Sequence, residues 1–173
     1  MASGAPAALP YTISLPAGWQ SFELADPASK ASFDAFVAAN PAFAAGMAAF
    51  EKAPNVMIAV NVLLGNAVIV LPIPSQGLPI STIASSLTAQ FGTVPGVEKA
   101  PVPEPTTLPA GDAVHWNVSV TANKAGGGTT IVGESIYLLE NDTTALILEY
   151  VTPGTADVNP DEQAIVDSVR LEP

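Results

Sequence analysis

The sequence predicts an α+β domain in which an antiparallel β-sheet is covered by helices on both faces, an αβα sandwich. Three observations lead there. The C-terminal third alternates apolar and polar residues over three runs joined by short turns, the period of half-buried strands. Folded as a meander, those runs carry large apolar residues on both faces, and such a sheet needs cover on both sides. Four other segments have helical spacing and supply that cover. The 173 residues read as a flexible leader over 1–10 and one domain over 11–173. A chain of this size buries roughly 70% of its unfolded surface, and its hydrophobic fraction of 49% builds a core without disulfides.

In chain order, Tyr11-Thr-Ile-Ser-Leu15 alternates and stops at the turn Pro16-Ala-Gly-Trp19, and Ser21 to Leu24 is a second short strand. Asp26-Pro27 pairs an N-cap acid with proline at the first helical position, opening a helix to about Ala39 with Phe33, Phe36 and Val37 on one stripe. Asn40-Pro41 repeats the signal for a helix to about Lys52, in which Phe43, Met47 and Phe50 recur one and two turns apart. The β-branched run from about Val56 to Leu63 and Ala67 to Leu71 reads as a hairpin turning near Gly65-Asn66. Ile80, Ile83, Leu87 and Phe91 place a third helix over 79–91, ended by Gly92. Pro95, Pro101, Pro103, Pro105 and Pro109 leave the next segment extended, at best an edge strand. The meander follows over 112–123, 129–140 and 144–152, with Trp116 and Val118 expected opposite Leu138 and Ile136. Tyr137 and Leu139 should share a face with Leu146, Leu148 and Tyr150. Asn159-Pro160-Asp161-Glu162 starts a last helix with both acids at its positive end, and Val169 to Leu171 is a short final strand.

Composition excludes several classes of function. Sixteen acids against five bases give a net charge of −11, which disfavours nucleic acid and anionic lipid alike. The absence of Cys removes disulfides, thiolate metal sites and cysteine nucleophiles together. The run from Ala53 to Val97 has no Asp, Glu, Lys, Arg or His, but Asn61, Gly65, Asn66, Pro72 and Pro74 interrupt it. It reads as a buried hairpin rather than the ~20-residue apolar helix a membrane span needs.

Several residues are weighed for chemistry. His115, the one histidine, is expected on the face opposite Trp116, beside Asn117 and Ser119, with only Glu134 or Glu149 near it by register. A metal ligand or general base is set there against a polar histidine with a structural place. Ser14, Ser21 and Ser168 lack a nucleophile motif, and no G-x-S-x-G occurs. Asp157, Asp161 and Glu162 cluster without a calcium-loop pattern, and capping accounts for two of them. Gly126-Gly127-Gly128 reads as a hairpin turn rather than a phosphate cradle. Phe33, Phe36, Phe43 and Phe50 are four of the six phenylalanines. A helix apolar nearly all round is buried on both sides or covered by something else. Phe43, Met47 and Phe50 are therefore the expected partner or ligand surface.

The pieces Tyr11-Thr-Ile-Ser-Leu-Pro-Ala-Gly-Trp19, Leu108-Pro-Ala-Gly-Asp-Ala-Val114, Ile136-Tyr-Leu-Leu139, Leu146-Ile-Leu-Glu-Tyr150 and Ala164-Ile-Val-Asp-Ser-Val-Arg-Leu171 resemble the PsbP-like family. The nearest likeness is to its LpqN-type bacterial exported lipoproteins. The Phe- and Ala-rich stretch at 27–52 departs from the photosystem and nuclear-import branches. The resemblance implies an αβα sandwich and a non-enzymatic binding or scaffold domain.

The expected function is thus an exported, non-enzymatic domain acting through protein–protein contacts, with a protein partner or homodimer. No cofactor, metal, nucleic acid or transmembrane segment is expected. The alternative is a carrier of a small apolar ligand in a cavity beneath the 27–52 helical hairpin. The expected setting is extracellular or the cell envelope, one form of it tethered through an N-terminal lipid anchor, with the cytoplasm as the alternative.

Overall fold

A computed structural model describes residues 9–40, 50, 55–97, 99–123, 127–154 and 160–172. Two short strands open the chain, β1 (Tyr11–Thr12) and β2 (Gln20–Glu23), followed by α1 (Pro27–Ala39). Asp26 caps α1 by accepting from the Ser29 amide at 3.0 Å and the Ala28 amide at 3.4 Å, with Pro27 in the first turn. Next come β3 (Met57–Asn61), β4 (Asn66–Pro74) and α2 (Ile80–Phe91). The meander is preceded by β5 (Glu104–Leu108) and consists of β6 (Gly111–Asn123), β7 (Thr129–Glu140) and β8 (Thr144–Pro153). The chain closes with α3 (Pro160–Ser168) and β9 (Arg170–Leu171).

Seven strands form one antiparallel sheet in the order β2-β3-β4-β8-β7-β6-β5, and β1 pairs with β9 in a separate ribbon. The two outer strands are weak templates for further pairing. β2 has four residues, and the Ser29 hydroxyl accepts from its Glu23 amide. β5 carries Pro105 opposite Val114, as its proline content led one to expect.

Alternation along the strands divides the core. One face carries Met57, Val68, Val70, Tyr137, Leu139, Leu146, Leu148 and Tyr150, packed with Ile165 and Val166 of α3. The other face carries two clusters. Ile58, Val60 and Ile69 meet Phe22 and Phe33 beneath α1. Trp116, Val118, Ile136 and Leu138 meet Ile83 and Ala84 of α2. Trp116 is fully buried, its indole N–H donating to Thr88 Oγ1 at 2.9 Å and its ring edge-on to Phe91.

The expected sandwich with helices on both faces is corrected. Among the described residues the molecule is mostly sheet, with 44% strand against 24% helix in three short helices. On the α3 face a single nine-residue helix shares the cover with the β1–β9 ribbon and with Leu9, Ile13, Leu15 and Trp19. Extended segments thus do work that helical layers were expected to do. The helix expected over 41–52 lies almost wholly outside the described residues. The meander is also shifted: Trp116 pairs with Ile136 and Val118 with Glu134. A shift of two keeps every side chain on its expected face.

Candidate functional site

His115 lies on the α3 face, stacked on Tyr137 with ring centroids 4.4 Å apart. Burial lowers its pKa, opposed by the charges of Glu162 and Glu104. Its Nε2 is buried without a hydrogen-bond partner. The Tyr137 hydroxyl donates to Glu162 Oε1 at 2.9 Å, and the Trp19 indole donates to Asp161 Oδ2 at 3.2 Å. The two acids at the start of α3 thus secure the helix to the sheet and to the 16–19 turn. Asp157 and Gly126 lie outside the described residues. Among those described, no group of three or more His, Cys, Asp or Glu is placed to hold a metal ion. Ser168 is engaged with its neighbours: its hydroxyl accepts from the Ser14 amide at 2.9 Å and contacts the Ile165 carbonyl at 2.7 Å.

Glu134 and Glu149 fall on the opposite face from His115, so the register joins them to each other instead. Glu134 pairs with Val151 and Glu149 with Ile136, which makes the two glutamates diagonal neighbours on β7 and β8. Burial, and then the charge of Glu134, push Glu149 up to about 8; burial also raises Glu134. Like charges this close, on a face shared with Ile136 and Val118, favour protonation of the pair.

Of the expected partner surface, Phe43 and Met47 lie outside the described residues. Phe50 is partly buried against the Phe22–Phe33 cluster. The exposed apolar residues gather elsewhere. Val62, Leu63, Leu64, Val94 and Ile131 are five of the seven exposed large hydrophobics among the described residues. All five sit at one end of the sheet. Asn61 and Asn66 close the β3–β4 hairpin there, leaving Val62 to Gly65 as its tip. A Cβ on Gly65 would stand 3.1 Å from Pro153 Cγ, so the tip abuts the end of β8. The Gly154 amide donates to the Ile131 carbonyl at 2.9 Å, and Ile131 pairs with Thr121 of β6. The Thr121 amide donates to the Gly96 carbonyl at 2.8 Å, which brings in the loop that holds Val94. Gly96 is required at this approach: its φ is +92°, and a Cβ would lie 2.5 Å from the Thr121 carbonyl oxygen.

The hairpin tip is held from below. Asn61 Oδ1 accepts from the Leu64 amide at 3.3 Å and the Asn61 carbonyl accepts from Gly65 at 2.9 Å. The Asn66 side chain donates to the Tyr150 hydroxyl at 2.7 Å and accepts from Thr152 at 3.2 Å. Asn61 and Asn66 are both buried. Polar side chains thus point inward and satisfy the turn, while Leu63 stands 94% exposed. Residues 61–66, 92–97 and 151–154 include no Asp, Glu, Lys or Arg; Glu134 stands opposite Val151, and the exposed Lys99 follows the 92–97 loop. Glu98, Lys124 and Asp157 lie outside the described residues. Sequence reasoning missed the site because Val62-Leu63-Leu64 continues an apolar run and reads as strand. The available signal was Asn61 and Asn66 bracketing those residues at turn spacing.

No family model matches the chain, so membership of the PsbP-like family is not shown, and no curated protein matches it. Solved structures share the fold. One is the crystal structure of LpqN, involved in cell envelope biogenesis of Mycobacterium tuberculosis, at a TM-score of 0.53 and 10% identity over 99% of this chain and 88% of that one. Another is a protein of Bacteroides thetaiotaomicron, at a TM-score of 0.53 and 9% identity, covering 95% of this chain and 46% of that one. At such identity the likeness is one of fold. Among the described residues no helix is long and apolar enough to cross a membrane.

Proposed function

We propose that this chain is an exported, non-enzymatic binding or scaffold domain of the cell envelope, acting by contact rather than by chemistry. The observation that carries the reading is the apolar end of the sheet, where five exposed apolar side chains are gathered on a chain of net charge −11. Apolar residues clustered at one place, rather than scattered, mark an interaction surface. The fold likeness to LpqN supports an envelope setting. The polar groups around His115 support the same reading from the other side, because Tyr137, Glu162, Asp161 and Trp19 are occupied in joining elements. The alternative, a carrier with its cavity beneath the 27–52 hairpin, finds Phe33 fully buried under α1, 5.4 Å from the Phe22 ring, and the rest of that hairpin lies almost wholly outside the described residues. Fractionation of cells producing the protein tests the proposal. Wild type should travel with the envelope and Leu63→Asp should not, with both folded; equal retention of the two would remove this end as the working surface.

A further inference from the structure

We infer that the uncharged β3–β4 hairpin tip at this end docks reversibly on a neutral lipid surface, with Val62, Leu63 and Leu64 entering its apolar layer. This rests on the reading of that end as the working surface and names what occupies it.

The geometry favours lipid over a protein. Val62, Leu63 and Leu64 stand together on the β3–β4 hairpin tip, and Leu63 is 94% exposed. A projecting tip needs a matching pit in a protein partner, but a fluid hydrocarbon layer takes it without complementary shape. Shallow insertion of a few apolar groups suffices for weak and reversible lipid binding.

The tip is also prepared for an apolar layer. Unsatisfied backbone groups are costly in hydrocarbon, and Asn61 already accepts from the amides of Leu64 and Gly65. Charged side chains are costly there too, and the hairpin tip 61–66 has none. The charge balance selects the lipid. With net charge −11 on the whole chain, an anionic surface repels the molecule and a zwitterionic one does not.

The chain has no cysteine, so Leu63→Cys and Leu78→Cys each accept one environment-sensitive fluorophore. Leu78 is the control, exposed at the opposite end beside Ser75 and 47% accessible. With phosphatidylcholine vesicles, the probe at 63 should shift to the blue and the probe at 78 should not. Adding phosphatidylglycerol should weaken binding, and 0.5 M salt should change binding to pure phosphatidylcholine little. Leu63→Asp should lower vesicle partition at least tenfold with thermal unfolding unchanged. Equal shifts at both positions, or none at 63, would overturn the inference. If vesicles fail while Leu63→Asp still releases the protein from the envelope fraction, a protein occupies this end: lipid docking falls and the working surface stands. If neither assay responds to the variant, both readings fall.

Discussion

The Tyr137 hydroxyl donates to Glu162 Oε1 at 2.9 Å, a bond between the middle of the sheet and the first turn of α3. Glu162 is 1% exposed. Removing the donor leaves a buried carboxylate with one partner fewer, which costs about 1–3 kcal/mol. Tyr137→Phe should therefore lower stability by that amount in urea unfolding, with the change seen in the midpoint rather than the slope. An unchanged midpoint would mean that water replaces the phenol.

The two glutamates on the opposite face should set a pH dependence. Folded, Glu149 holds its proton up to about pH 8; unfolded, it releases it near the ordinary value of about 4.3. Between those limits the unfolded chain binds fewer protons, so this contribution is complete below about pH 4 and is lost as pH rises toward 8. Glu134, raised by burial, acts in the same direction. Glu149→Gln should flatten the profile and gain on the order of 1–2 kcal/mol at pH 8. Thermal unfolding from pH 5 to 8 measures it; a wild-type profile as flat as the variant's would refute the shared protonation.

Gly96 offers a steric test. A methyl group there meets the Thr121 carbonyl at 2.5 Å in a backbone conformation that L-residues avoid. Gly96→Ala should cost about 1–3 kcal/mol and speed amide exchange at Thr121, whose hydrogen bond to Gly96 closes the loop.

The cap of α1 is worth about 1 kcal/mol. Asp26→Ala should lose roughly that much, and Asp26→Asn should recover most of it, because the amide oxygen still accepts from Ser29. Calorimetry on the three proteins distinguishes the outcomes.

Much of this fold was legible because local chemistry determines it. Asp26-Pro27 marks a helix start, and observed α1 ends at Ala39, where periodicity placed its end. The meander faces were legible as well, since Tyr137, Leu139, Leu146, Leu148 and Tyr150 do share one cluster. Register was not, because turn length decides it: a slip of two preserves the alternation and therefore the pattern used to read it. β5 pairs in spite of Pro105 because it lies at an edge, the one strand role its segment allowed. The candidate site was read least well. Val62, Leu63 and Leu64 differ from the buried residues beside them only by Asn61's role as an inward acceptor, which composition does not reveal. For Glu162, helix-end charge was the visible reason and a hydrogen bond to a residue 25 positions away the hidden one.

The proline-bearing border of the sheet has one more consequence. Molecules gathered on a surface reach high local concentration, and open strand borders then invite edge-to-edge growth into fibrils. Here Pro105 interrupts one border, and the other is a four-residue strand whose Glu23 amide is already taken by Ser29. Crowding this protein on a surface should leave its copies as separate bodies, free to leave one at a time.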